Sequence, residues 1–433
     1  MTVTLGPVSA DLSAGVDAWE RAVFRLRLPE TWTGAAADGA RQQLGRLVDR
    51  GGGLLDRARA LAAVLADVAA REPFDDARLA AALARAMRTE PVAAGPAATG
   101  PAPAAVAHWW AGLAAAERER LAATRPELVG ALDGVPAAVR DRANRTRLAA
   151  ARQVGEAELA GLERARDEVR DLGGLQDVEA RLAAVRARLG RLAAIDAAVG
   201  AGGERALLAV DPASGRAAIA VGDVDRARHV GVVVPGFTAR AEDLPGRTAE
   251  LAAMRSPESA VVAWYDYPAP QWPEVLDADR SVLGTRVAEN ASARLASFLD
   301  GVAVAGGQGP HVTAVGHSYG SLTVAQGVAS ARSVDDVVLL GSPGVSPLPR
   351  QPTWVAEARG DPVADAGWFG PDPNGLPDVH PIATTGSVGH VDYLRPGSTG
   401  AQNVAAVIDG RSADVVADRT AGVGDRLRAL LPR

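Results

Sequence analysis

His311-Val312-Thr313-Ala314-Val315-Gly316-His317-Ser318-Tyr319-Gly320-Ser321-Leu322 is a short apolar run that breaks into Gly-x-Ser-x-Gly and then into a helix-compatible stretch. A serine in that pattern sits on a tight strand-to-helix turn with strained backbone, and glycine on either side lets the neighbouring backbones approach. The stretch predicts a strand, an elbow and a helix, with Ser318 presented as a nucleophile between the elbow glycines Gly316 and Gly320. A bare pentapeptide also fits an ordinary turn serine, so the reading depends on what surrounds it.

Outward from the elbow, valine-rich runs recur at residues 229–234, 260–265, 336–340 and 353–357. The intervals from Val234 onward are long enough for crossover helices. Before them, residues 206–210 and 217–221 flank Asp211-Pro-Ala-Ser-Gly215, which reads as a two-stranded hairpin around a turn. Strands buried on both faces and alternating with helices imply a mostly parallel sheet covered on both sides. The expected class is therefore α/β, and an antiparallel hairpin leading into such a sheet is how an α/β-hydrolase begins.

The front of the chain has a different period. Leu12, Val16, Trp19, Val23 and Leu26 form one apolar helical stripe ended by Pro29, and Leu44, Leu47, Leu54, Leu61, Leu65 and Val68 form a second, with Gly51, Gly52 and Gly53 as a kink. Residues 91–103 are dense in proline and glycine, which marks a linker. Helical pattern resumes at His108-Trp109-Trp110. It ends in Val178, Leu182, Val185, Leu189, Leu192, Ile195 and Val199, a near-heptad spacing that calls for a partner helix, within the chain or in an oligomer. The expected division is a helical domain over 1–90, a linker over 91–104, a helical region over 105–203 able to cap a site, and a catalytic domain over 204–433.

Composition excludes several classes of function. A formal charge of -6 with no block of like charges argues against a nucleic-acid partner. All 46 basic residues are arginine, as GC-rich codon usage produces. The absence of cysteine removes disulfides, thiolate nucleophiles and cysteine-based metal sites. Residues 1–10 lack a basic n-region and an apolar h-region, so neither a signal peptide nor a membrane span is expected.

A serine hydroxyl needs a base within hydrogen-bond reach, and the base needs a third group to fix its tautomer. Two histidines follow Ser318, namely His380 and His390. His390 lies beyond a last strand expected near 381–384 and is preferred, whereas His380 sits in a stretch rich in proline and glycine. The preferred acid is Asp361, directly after the run at 353–357, with Asp365 and Asp372 as competitors and Asp392 as a local partner near His390. The oxyanion of an attacked carbonyl needs preorganised donors. Tyr319, the residue after the nucleophile, supplies one backbone N–H, and Phe237 in Val234-Pro-Gly-Phe-Thr238 supplies the other, with Thr238 as the alternative.

Two family resemblances follow from these motifs. Trp32-Thr33-Gly34 resembles the Trp-x-Gly hairpin of small helical proteins exported by type VII secretion, over residues 1–70. The Tyr-x-x-x-Asp/Glu export signal of those proteins is not seen, since no tyrosine precedes Tyr265, so the expectation is a cytoplasmic protein, with type VII export as the alternative. Residues 105–400 resemble an actinobacterial α/β-hydrolase family of uncharacterised function. The resemblance rests on Val234-Pro-Gly-Phe237, Gly316-His-Ser-Tyr-Gly320, Glu357-Ala-Arg-Gly-Asp-Pro-Val363, Gly370-Pro-Asp-Pro373, His390-Val-Asp-Tyr-Leu-Arg-Pro-Gly-Ser398, His108-Trp-Trp-Ala-Gly-Leu113, Arg125-Pro-Glu-Leu-Val-Gly130 and the segment Leu132–Asn144. It implies the fold and a serine-hydrolase triad.

The function expected is hydrolysis of a small-molecule or lipid-like acyl ester, thioester or amide by Ser318, Asp361 and His390, with no metal and no organic cofactor. The alternative is an interaction or secretion-associated protein that uses the N-terminal helices to bind a helical partner or a second copy. A metal-dependent hydrolase is disfavoured because the histidines show no ligand spacing.

Overall fold

Valine-rich runs favour extended backbone, and the runs singled out at 229–234, 260–265, 311–315, 336–340 and 353–357 each supply a strand. The structure, a computed structural model, describes residues 102–418 apart from 275, 276, 278, 365, 366 and 377. The chain divides into two units at Gly95–Pro96, and the described residues belong to the second. The hairpin expected around Trp32-Thr33-Gly34 lies outside the described residues, as does Asp365.

Strands β1 (Arg205–Asp211) and β2 (Arg216–Val221) form the antiparallel hairpin. Its turn is closed by the Asp211 carboxylate, which accepts from the Ala213 N–H at 3.1 Å and the Ser214 hydroxyl at 2.7 Å. Strands β3 (His229–Val234), β4 (Ser259–Tyr265), β5 (His311–His317), β6 (Asp336–Leu340), β7 (Thr353–Ala356) and β8 (Val379–Ile382) follow. The sheet runs β1-β2-β4-β3-β5-β6-β7-β8, antiparallel through β2 and β4 and parallel from β4 onward.

Alternate residues of each inner strand feed two separate apolar layers. Val230, Val232, Val234, Val312, Ala314, Val337 and Leu339 pack beneath α7 (Arg286–Ala305) and α8 (Tyr319–Val328). Val233, Val315, Val338 and Leu340 face α6 (Leu244–Met254), α9 (Thr399–Ile408) and the end of α5 (Leu172–Gly200). Coverage on both faces explains why the strands read as continuous apolar runs rather than alternating ones. At Gly231 the sheet leaves room for the Ile408 side chain of α9, since a Cβ there would stand 2.6 Å from Ile408 Cδ1.

The helices before the sheet are α1 (Pro103–Gly112), α2 (Ala115–Thr124), α3 (Pro126–Val129), α4 (Ala137–Glu168) and α5. α1 begins inside the stretch expected as linker, because Pro103 occupies the first helical turn, where a missing N–H costs nothing. Helix α4 lacks a side-chain cap of its own and borrows one: the Asp225 carboxylate accepts from the Ala137 and Ala138 N–H groups at 2.7 and 2.9 Å. It then seals the outer edge of β1. Asp141 accepts from the Leu207 N–H at 2.6 Å, Asn144 donates to the Leu207 carbonyl at 3.0 Å, and Arg145 donates to the Arg205 carbonyl at 3.0 Å. Edge strands invite unwanted pairing, and these side chains occupy the free backbone groups. The partner called for by the near-heptad spacing of 178–199 is α4 of the same chain. No helix of the described residues is long and apolar enough to cross a membrane.

Candidate active site

Strand β5 ends in a turn that only this sequence pattern tolerates. Ser318 adopts φ 56 and ψ -128, a region that side-chain-bearing residues rarely visit. The turn is tight enough that a Cβ on Gly316 would lie 2.6 Å from Ser321 Cα, and one on Gly320 would lie 2.4 Å from the Val234 carbonyl oxygen. The Ser318 N–H donates to the Leu340 carbonyl at 2.9 Å, and the Ser321 hydroxyl donates to the Gly316 carbonyl at 3.0 Å. The effect is to fix the Ser318 hydroxyl at the carboxyl ends of the parallel strands.

Two further loops converge there. The segment after β7 brings Asp361, and the segment after β8 brings His390. The Ser318 hydroxyl lies 2.7 Å from His390 Nε2, and His390 Nδ1 lies 2.9 Å from Asp361 Oδ2 and 3.0 Å from Oδ1. An ionised carboxylate only accepts, so Asp361 fixes the proton of a neutral His390 on Nδ1 and leaves Nε2 free to accept from Ser318. The Asp361 side chain is fully enclosed. Burial pushes its pKa up, but hydrogen bonds from His390 and Tyr393, with the charge of His390 and the Val363 N–H, outweigh burial and hold it at about 2.

Tyr393 is a contributor to which the sequence reading gave no role. Its hydroxyl donates to Asp361 Oδ2 at 2.6 Å and accepts from the Ala358 N–H at 2.9 Å. The signal was its place three residues after His390. Burial raises the Tyr393 pKa far above its usual value, so the group remains a donor. His317 is the second such residue. Its Nε2 lies 2.6 Å from the His390 carbonyl oxygen, and its ring sits 5.0 Å from that of His390. Burial, aided by the charge of His390, lowers the His317 pKa to about 4. Neutral His317 thus donates from Nε2 and anchors the backbone that carries His390.

The turn after β3 approaches the nucleophile from the other side. A Cβ on Gly236 would stand 2.6 Å from Ser318 Cβ. The Thr238 N–H donates to the Pro270 carbonyl at 2.9 Å. Phe237 shows no such bond among the described residues, and the Tyr319 N–H is one of the unpaired donors at the start of α8. Three contacts from the segment after β4 hold this turn. Tyr267 donates its hydroxyl to the Pro235 carbonyl at 2.5 Å, Gln271 donates to the Ala239 carbonyl at 3.1 Å, and the Trp272 ring meets the Phe237 ring edge-on at 4.7 Å. Tyr319 is clamped through its side chain as well, donating to the Gly284 carbonyl at 2.8 Å.

The remaining candidates lie elsewhere. His380 sits on β8 rather than in a loop, with its ring 4.6 Å from Trp354. Proline at 381 is compatible with that strand because β8 is at the sheet edge. Asp372 caps the turn at Asn374, and Asp392 pairs with Arg395 at 3.2 Å. The segment Leu132–Asn144 turns out to be scaffold. Asp133 bonds Arg140 at 2.9 Å and Ser297 at 2.6 Å, while fully buried Asn144 ties α4 to β1. Among the described residues no group of three or more His, Asp or Glu side chains is arranged to hold a metal ion.

An uncharacterised protein of Mycobacterium tuberculosis is 33% identical over 291 residues, which is 59% of this chain and 41% of that one. An uncharacterised protein of Mycobacterium bovis is 34% identical over 152 residues, 31% of this chain and 55% of that one. The chain thus spans about half the length of these relatives or less. Among solved structures, a hyperthermophilic esterase from Pyrobaculum calidifontis aligns with a TM-score of 0.30 and 15% identity, over 46% of this chain and 79% of that one. Esterase 2 of Thermogutta terrifontis aligns with a TM-score of 0.28 and 12% identity, over 54% of this chain and 97% of that one. Residues 211–349 match the model of a family described as alpha/beta hydrolase, and with the sheet order and strand-elbow-helix above, the described residues have the α/β-hydrolase fold.

Proposed function

We propose that this protein is a serine hydrolase that cleaves an acyl ester through an acyl-enzyme intermediate, with residues 204–433 as its catalytic domain. The observation that carries the reading is the unbroken hydrogen-bonded row Ser318–His390–Asp361.

As Ser318 Oγ attacks the substrate carbonyl, its proton passes to His390 Nε2. The imidazolium that forms is stabilised by the ionised Asp361, which keeps the ring oriented. Negative charge on the former carbonyl oxygen is met by the Phe237 and Tyr319 N–H groups. Collapse of this intermediate breaks the ester bond, and His390 returns the proton to the departing alkoxide. Water then attacks the acyl-serine with His390 again as base, releasing the acid. Tyr393 acts through Asp361 and His317 through the His390 backbone, so both are positioning residues.

The test is labelling by a fluorophosphonate probe together with turnover of p-nitrophenyl acetate. Wild type labels at Ser318 and turns over, and Ser318→Ala does neither, with kcat reduced by about 1,000-fold or more. Unchanged turnover in Ser318→Ala, or no labelling of the wild type, ends the reading.

A further inference from the structure

Among the described residues, two that are not glycine hold a positive φ: Ser318 at 56 and Thr238 at 69. Threonine is β-branched, and for such a residue the left-handed region is an outlier that the surrounding structure must impose. The two lie on facing turns. A Cβ on Gly236 would stand 2.6 Å from Ser318 Cβ and 3.0 Å from Ser318 Oγ, which sets the start of the Thr238 turn against the nucleophile itself.

The bonds of this turn define its type. The Ala239 N–H donates to the Gly236 carbonyl at 3.3 Å, so residues 236–239 form a β-turn with Phe237 and Thr238 at its centre. A positive φ at Thr238 and not at Phe237 is the pattern of a type II turn, whose third position ordinarily takes glycine or asparagine. The Gly236 carbonyl points into the turn, and across the planar trans peptide the Phe237 N–H points out of it. The central peptide is the one that flips between type II and the type I turn open to most residues. Its Thr238 N–H is held by the Pro270 carbonyl at 2.9 Å. A flip would turn the Phe237 carbonyl toward that carbonyl instead, two acceptors face to face, so the relaxed turn cannot stay docked on Pro270. Gln271, next in the chain, donates from Nε2 to the carbonyls of Ala239 and Ala269 at 3.1 and 3.0 Å and ties the turn to the same segment.

We propose that Thr238 is a positioning residue: its left-handed backbone, imposed by the Pro270 carbonyl, docks the 236–239 turn so that the Phe237 N–H meets the oxyanion formed at Ser318. The proposal rests on the serine-hydrolase reading. The turn is either docked and strained or relaxed and undocked, and only the docked form holds the donor in place.

The experiment is turnover of p-nitrophenyl acetate by the full chain, with thermal melts and fluorophosphonate labelling of each protein. Thr238→Pro, which removes the N–H and fixes a negative φ, lowers kcat about a hundredfold and leaves KM within about threefold of wild type, as loss of a donor that acts only in the transition state requires. Gln271→Leu loosens the same docking without altering residues 236–239. It lowers kcat about tenfold with KM kept, and it carries the test if Thr238→Pro fails to fold. Thr238→Asn, at ease in the left-handed region, retains kcat within about twofold and melts about 2 °C higher. Thr238→Val keeps the β-branch without the hydroxyl and tracks wild type in both. Full kcat in Thr238→Pro or in Gln271→Leu, or a Thr238→Asn melt at or below wild type, overturns the proposal and leaves the hydrolase reading standing. A kcat loss in Thr238→Val overturns it in favour of the threonine hydroxyl as the acting group. Absence of labelling in the wild type overturns the hydrolase reading as well.

Discussion

At the scale of single residues, the site is built from two groups that hydrogen-bond in opposite senses to burial. Asp361 is enclosed yet ionised, because His390, Tyr393 and the Val363 N–H all donate to it. His317 is enclosed and neutral, because burial outweighs the opposing pull of the His390 carbonyl and the Asp361 charge. Both folded-state pKa values are depressed, so both groups give stability that is present at high pH and lost on acidification. For His317 the loss runs from 6.5, its unpaired value, down to about 4. For Asp361 it runs from 3.8 down to about 2. His317→Gln keeps an N–H donor for the His390 carbonyl but cannot titrate. Denaturant midpoints should therefore fall between pH 7 and pH 4.5 in wild type and fall measurably less in His317→Gln. Equal slopes in the two proteins would sink this assignment. The sequence displayed Ser318, Asp361 and His390 because their spacing and strand ends follow a motif. The roles of His317 and Tyr393 were hidden, since a histidine inside Gly-x-Ser-x-Gly and a tyrosine after His390 look like filler until the loops are folded.

Among elements, the strand-elbow-helix was the most legible because its backbone demands specific residues. The tight turn at Ser318 needs glycine at positions 316 and 320, and at Gly320 the opposing atoms are carbonyl oxygens of Val234 and Pro235, 2.4 and 2.5 Å from an added Cβ. Backbone cannot swing aside as a side chain can. Gly320→Ala should therefore cost about 3 kcal/mol in chemical denaturation and reduce fluorophosphonate labelling even where the fold survives. A variant within about 0.5 kcal/mol of wild type would show that the turn relaxes more easily than the geometry says. Boundaries were less legible where proline has two meanings. Pro103 reads as a breaker and starts α1, and Pro381 reads as the opening of a strand that in fact begins at Val379. In each case the deciding fact is non-local: whether the missing N–H faces a neighbour.

Across the whole molecule, the sheet was readable from its valine runs, but the extent of the helical hairpin was not. Helix α4 has 32 residues and α5 has 29, so each is more than about 40 Å long. Strand β1, on which they lie, has 7 residues and spans about 23 Å. The Arg191 side chain already packs at Gly215 in the β1–β2 turn, and Gly155 meets Leu189. Earlier α5 residues and later α4 residues consequently extend past the sheet. That distal part holds its own cluster of Leu162, Leu182 and Val185, separate from the layers on the sheet, whereas Leu192 and Ile195 belong to the sheet's second layer. Two positions ten residues apart on one helix should then behave differently. Leu182→Ala should lower hydrogen-exchange protection over residues 159–189 by the equivalent of about 2–4 kcal/mol and leave β3 and β5 protected as in wild type. Leu192→Ala should lower protection throughout, because its cavity opens in the layer that carries the elbow. If Leu182→Ala reduced protection in β5 to the same degree, the distal hairpin would be part of the global folding unit rather than a locally opening extension of it.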